Sequence, residues 1–245
     1  MFARFILALI LVGCLANVAY CASGYDQTEE TDLYTLRLRI PAAVMSVAPL
    51  RRDIMARFKL AADQTKKNAI ESKKEQPGEL PRLILDTRWQ VTFDHTAVLS
   101  VSGYSYEAQG GAHPNGYFEA IVWDKKAHRT VPIDALFKKN QAENALQAIA
   151  TAAQQSWISI YKKQSGETPS KDLLEQSKLG ITPTAKAMKN YALTHAQGQA
   201  TANGIVLLYG EGEIWPHVLG DFRLSVPVSV FSQYLKPEWR AIFHR

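Results

Sequence analysis

Residues 97–123 read AVLSVSGYSYEAQGGAHPNGYFEAIVW. Two runs, 97–106 and 117–123, are rich in β-branched and aromatic residues, which fill a pleated, half-buried surface, and they predict two strands. Between them lies a loop dense in glycine, proline and asparagine. Just upstream, Trp89-Gln90-Val91-Thr92-Phe93 predicts a third strand, with Asp94-His95 marking the turn. Connections this short can join only antiparallel neighbours, so the three strands form a meander. Strands are grouped here and helical patterns lie elsewhere. That grouping predicts an α+β fold: antiparallel sheets with packed helices, two modules in one compact unit.

Working outward, residues 33–40 (LYTLRLRI) alternate, with Leu36, Leu38 and Ile40 on one face and Arg37 and Arg39 on the other, and predict a half-buried strand. The polar stretch 23–31 before it reads as a flexible tether. Pro49 opens a helix, with Leu50, Ile54, Phe58 and Ala61 at helical spacing. Its charged end, 66–76, stops at Pro77-Gly78 and reads as a solvated helix end, with a polyanion-binding face as the alternative. After the meander, 129–133 predicts a short strand. Asn140 and Glu143 have capping-box spacing for a long helix with the stripe Ala145, Ile149, Ala153, Trp157 and Ile160, stopped at Ser165-Gly166. A short helix starts at Ser170. Strands follow at 190–195, 204–209 and 222–226, and residues 228–235 close the domain as a short helix.

The chain has 245 residues and a globular composition, enough for a sizeable core. Its net charge of +5 is mild and scattered, which speaks against nucleic acid as a partner. The N-terminus carries a basic start (Met1-Phe2-Ala3-Arg4) and an apolar run of 8 residues, Phe5 to Val12, the pattern of a secretory leader over 1–22. Two exits from it stay open. Leu11-Val12-Gly13-Cys14 looks like a bacterial lipobox, with Cys14 as the lipidated residue. Ordinary cleavage after Cys21 is the other. The expected location is periplasmic or extracytoplasmic, with membrane contact only through an N-terminal lipid anchor. The chain's 2 cysteines are these, so a mature domain cut after Cys21 has neither disulfides nor thiol chemistry.

Motifs for catalysis are absent from the sequence. The six histidines (His95, His113, His128, His195, His217 and His244) show no metal-ligand spacing. There is no Gly-x-Ser-x-Gly. Gly210-Glu211-Gly212-Glu213 begins like a dinucleotide loop but has Trp215 where the third glycine belongs, and its acids suit a phosphate badly. Glu211 and Glu213 could face one way as a carboxylate pair, or form a rim of surface charge. No metal, cofactor or catalytic residue is expected.

The loop itself has two readings. Gly110-Gly111 marks a backbone needing positive φ or a close approach, and His113-Pro114-Asn115-Gly116 completes a turn. One reading is a structural hairpin loop. The other is a rigid loop that presents His113 and Asn115 beside Tyr104, Tyr106 and Tyr117 as a contact surface.

Tyr104-Ser-Tyr106, Gly110-Gly-Ala-His113-Pro, Asp124 after an aromatic strand and Ile133-Asp-Ala-Leu-Phe137 together resemble the extracytoplasmic domain shared by the RsiV anti-sigma factors and the front of the PdaC peptidoglycan deacetylases. The run 204–209 (GIVLLY), Glu213-Ile-Trp-Pro216, Gly220 and Val226-Pro227 is similar to that family's second module, though Trp215-Pro216-His217 departs from its Pro-Tyr pattern. The resemblance implies a first module over 30–130 and a second over 131–240. It implies a non-catalytic envelope domain whose ligand is peptidoglycan or an envelope protein, contacted through Gly110, Gly111, His113, Asn115 and the neighbouring tyrosines. The alternatives are a lysozyme-binding inhibitor or sensor, with Glu211 and Glu213 as its acidic patch, and a cell-wall hydrolase with an unrecognised site.

Overall fold

The structure is a computed structural model, and it describes residues 24–78, 80–111, 113–214 and 220–243. The leader over 1–22 with Cys14 and Cys21, and the motif Trp215-Pro216-His217, lie outside the described residues. By its contacts the chain falls into two units, Met1–Gln90 with Glu107–Ala112, and Val91–Tyr106 with His113–Arg245. These follow proximity in space, whereas the modules 30–130 and 131–240 follow sequence.

The fold is α+β. One sheet has the strand order β1-β2-β3-β4-β5-β6, and the other β7-β8-β9. The strands are β1 (Tyr25–Glu30), β2 (Tyr34–Ile40), β3 (Leu83–Asp94), β4 (Val98–Ala108), β5 (Asn115–Asp124), β6 (Arg129–Thr130), β7 (Tyr191–Thr194), β8 (Gly204–Tyr209) and β9 (Phe222–Pro227). The main helices are α1 (Ala48–Glu75), α2 (Ala142–Ser165) and α3 (Lys171–Gly180).

In the first unit the expected tether is instead a strand. β1 pairs antiparallel with β2, from Tyr25 opposite Ile40 to Glu30 opposite Thr35. Its backbone bonds suffice, so its side chains can stay polar. β2 pairs parallel with β3, Tyr34 opposite Leu83, within sheets otherwise rich in antiparallel pairs. A parallel pair needs a long crossover, and α1 supplies it. α1 buries Leu50, Ile54, Ala62, Thr65 and Ala69 and leaves Leu60 76% exposed. Leu36, Ala62 and Leu85 pack together, flanked by Tyr34, Phe58 and Ala61. At the rim Glu29 accepts from Lys66 Nζ (2.8 Å) and from the Tyr34 hydroxyl (2.9 Å). The Lys66 bond, then that of Tyr34, holds the Glu29 carboxyl below its ordinary value, and the same contact raises Lys66.

In the second unit α2 is the spine. Ala145, Ile149, Ala153, Trp157 and Tyr161 face Ile205, Leu207 and Tyr209 of β8 and Phe222, Leu224 and Val226 of β9 in one buried cluster. Ile160, assigned to this stripe from its spacing, only packs against the cluster's edge, and Tyr161 takes its place. Asn140 does not cap α2. It sits in a 3-10 turn, Lys139–Gln141, and Gln141 is the cap residue with no side-chain cap bond. Ser170 does cap α3, accepting from Leu173 N. The predicted strand over 129–133 shrinks to two residues because Pro132 leads into a 3-10 turn, Ile133–Leu136. The predicted closing helix is two 3-10 turns, Val228–Val230 and Ser232–Tyr234, hinged at Phe231.

Two buried hydroxyls stitch this unit. Ser100 Oγ accepts from Thr92 Oγ1 (2.8 Å) and from Leu193 N (2.9 Å), linking β3, β4 and β7. Tyr191 donates to Val131 O at 2.7 Å, and burial, with Asp134 adding to it, pushes its phenol well above the ordinary value.

Trp157→Ala removes the largest fully buried side chain of the cluster. We expect a loss of about 3–5 kcal/mol in urea unfolding. The exposed-site control Leu60→Ser should stay within about 0.5 kcal/mol of the parent.

Candidate functional site

The predicted loop residues divide between the units. In the first, Gly110 has φ +81°, the left-handed conformation expected of the glycine pair, and Gly111 is exposed with no neighbour where a Cβ would stand. Gln109 next to them donates to Thr65 Oγ1 (3.3 Å) and accepts from Asn68 (3.5 Å), which fixes the loop's start on α1. Gln109 and Gly110 also border a cleft of about 700 Å³ formed with the end of α1. In the second unit, His113 and Asn115 are exposed.

Within the second unit a narrower surface forms where β4, β5, the end of β8 and β9 meet. Gly116 is buried because a Cβ there would run into the Tyr104 hydroxyl and ring. Gly210 faces the same stretch of backbone: a Cβ on it would stand 2.6 Å from Gly116 O and 2.8 Å from the Tyr117 Cα. Glu211 completes the join. Its N–H donates to Gly116 O at 2.9 Å and its Oε2 accepts from Gly116 N at 3.2 Å. Glu213 Oε2 in turn accepts from Gly210 N at 2.7 Å. The carboxylate pair is therefore occupied, at least in part, with the chain's own backbone.

Tyr104 lies over this join, its ring centroid 5.0 Å from that of Phe118. Arg223 stands over the other ring at 5.1 Å from the Phe118 centroid and 3.7 Å from Asp221. Two residues on along β4, Tyr106 is 37% exposed and shares Tyr104's face. Burial first, then the negative charges of Asp221 and Glu211, push the Tyr104 phenol above its ordinary value, and Arg223 opposes them. Tyr104 thus keeps its proton at neutral pH and offers a neutral hydroxyl. Tyr117 alternates to the opposite face of β5 from Gly116 and Phe118, so the structure separates it from Tyr104 and Tyr106.

The sequence reading did not find Phe118, Asp221 and Arg223. The alternation of Phe222, Leu224 and Val226 identifies the strand, and the same alternation puts Arg223 on its opposite face. What it cannot supply is the neighbour on a strand of the other sheet, Phe118, that makes Arg223 part of a surface. A further tyrosine, Tyr209, has a buried hydroxyl with no hydrogen-bond partner among the described residues. Burial, then the Glu213 charge, push its phenol far up.

No family model and no curated protein matches the sequence. Solved structures do. A DUF3298 family member from Bacteroides fragilis superposes with a TM-score of 0.58 at 14% identity, covering 87% of this chain and 92% of that one. A DUF3298 family protein from Pseudomonas aeruginosa PAO1 gives 0.57 at 13% identity, over 91% of this chain and 95% of that one. The fold is theirs. At this identity the likeness extends to the fold alone. Among the described residues no helix is long and apolar enough to cross a membrane.

Tyr104 and Tyr209 generate a pH prediction. A phenol whose folded value lies above its unfolded one keeps a proton that the unfolded chain has lost. Its contribution is intact below about pH 10 and is lost as pH rises towards the folded value. We expect the urea midpoint to fall above about pH 10, and Tyr209→Phe to flatten that fall. An unchanged slope in Tyr209→Phe would remove this tyrosine from the effect.

Proposed function

We propose that the protein is a non-catalytic cell-envelope binding domain whose ligand is a wall polymer, contacted through Tyr104, Tyr106 and the charged groups beside them. The observation that carries the reading is the pair of tyrosines on one strand face, one held by Phe118 and one exposed, with Arg223, Asp221 and Glu211 around them. A sugar ring presents an apolar C–H face and a hydroxyl edge, which suits a flat aromatic surface fringed by donors and acceptors. The DUF3298 family, whose fold this chain shares, is related to the RsiV and PdaC domain that the Gly110–Pro114 motif resembles, which supports a binding domain of that wider group. Carboxylates that accept from their own backbone, as Glu211 and Glu213 do, also suit a binding surface better than acid–base turnover.

Co-sedimentation with purified peptidoglycan sacculi tests this. The protein should pellet at moderate salt, and Tyr104→Ala with Tyr106→Ala should release most of it. His113→Ala reports whether the exposed loop histidine takes part. Pelleting only at low salt would mean that a mildly basic chain met an anionic polymer, and would overturn the reading. No pelleting would turn attention to a protein ligand, lysozyme included, and release of soluble muropeptides would point to a hydrolase.

A further inference from the structure

The Gly-Gly turn takes no part in the tyrosine surface, and it borders the cleft of about 700 Å³ in the first unit. Four segments of that unit form the cleft: the β1–β2 turn with Asp32 and Leu33, the last two turns of α1, the approach to β3 with Leu80 and Pro81, and the loop at Gln109 and Gly110. Its volume lies within the range of small-ligand sites, about 300–1,000 Å³. Its frame is fixed on every side. Gln109 is tied to α1 through Thr65 and Asn68. Gly110 then turns with φ +81° against Leu83, whose Cδ2 lies 3.6 Å from where a Cβ would stand. Leu83 N donates to Leu33 O at 2.9 Å, and Thr31 Oγ1 accepts from Leu33 N and Tyr34 N. Lys73 donates to Gly78 O (2.9 Å) and Pro77 O (3.3 Å) and so holds the chain that leaves α1.

The lining supplies three kinds of contact. Leu33 and Leu80 are half-buried, which leaves part of each side chain accessible. Ser72 is half-buried too, and its hydroxyl has no partner among the described residues, whereas Thr65 on the same helix gives its hydroxyl to Ala61 O. Gln76, Asp32 and Glu75 are exposed, and their side chains likewise have no partner among the described residues. The lysine of the lining, Lys73, is engaged with two carbonyls, so the carboxylates are the charges left to a ligand. Carboxylates only accept, which favours an ammonium group, while a hydroxyl and an amide both donate and accept, which suits a peptide unit. We propose that the cleft binds a short peptide with a side-chain ammonium. Asp32 and Glu75 hold the ammonium, Ser72 and Gln76 meet the peptide backbone, and Leu33 and Leu80 cover the methylenes between. The ligand class follows from the lining; only its source, the peptide part of a wall polymer, rests on the function proposed above.

The probes are the blocked peptide acetyl-Ala-Lys-Ala-amide and the same peptide acetylated on the lysine Nε, which differ by one charge. Titration into the full chain, read by NMR or calorimetry, should show binding of the first and at least about tenfold weaker binding of the second, the loss expected for one charge-assisted contact. Asp32→Asn with Glu75→Gln should abolish that preference and leave the urea midpoint unchanged, because both side chains are exposed. Ser72→Ala should weaken both peptides by about threefold, a loss that charge attraction alone would not produce. Equal binding of the two peptides, no binding of either, a preference that persists in the double variant, or unchanged affinities in Ser72→Ala would each overturn the site. Peptide binding by a chain that does not pellet with sacculi would leave this site standing and remove the wall as its source. Pelleting by a chain that binds neither peptide would leave the wall reading standing and overturn the cleft.

Discussion

Two glycines let two backbones touch. Gly210 at the end of β8 and Gly116 at the start of β5 come close enough that a Cβ on Gly210 would stand 2.6 Å from the Gly116 carbonyl. Glu211 then bonds Gly116 at both its N–H and its C=O. The same bare Gly116 leaves room for the Tyr104 hydroxyl above it, so one contact both joins the strands and seats the tyrosine of the candidate surface. Any larger residue at either position would break the join or displace the ring. The surface is therefore a product of backbone proximity as much as of side-chain choice.

The energetics divide along the same lines. The second unit draws on a large apolar cluster centred on Trp157 and on hydroxyls bonded in its interior, Ser100 and Tyr191. The first has a smaller cluster around Leu36, Ala62 and Leu85 and a rim of ion pairs, Glu29 with Lys66 among them. Rim pairs of this exposure add little each, so the first unit depends on the apolar contacts of α1 with its strands.

Much of this architecture was legible in the residues. The strands of the meander announced themselves because both faces of β4 are covered, giving a continuous buried run from Val98 to Gly103. The α2 stripe was legible for the same reason, to within one position. β1 was not, because an outer strand bonded through its backbone needs no apolar face, and Tyr-Asp-Gln-Thr-Glu-Glu offers none. Nor was the parallel pairing of β2 with β3, since direction is set by the long α1 crossover and leaves no mark in either strand. The predicted site was half legible. Alternation placed Tyr104 and Tyr106 together, but the partners Phe118, Asp221 and Arg223 meet them only in three dimensions, and Tyr117 falls on the wrong face.

β1 has one more consequence. Among the described residues it lies at the end of the sheet order, and an open strand edge is where foreign chains add themselves to build fibres. This one carries Asp26, Glu29 and Glu30 in six residues. A second copy approaching edge to edge would set acid against acid. Glu29 and Glu30 are each held by a cation, Lys66 and Arg82, so of the acids that hide the strand from sequence reading Asp26 would oppose such pairing most directly.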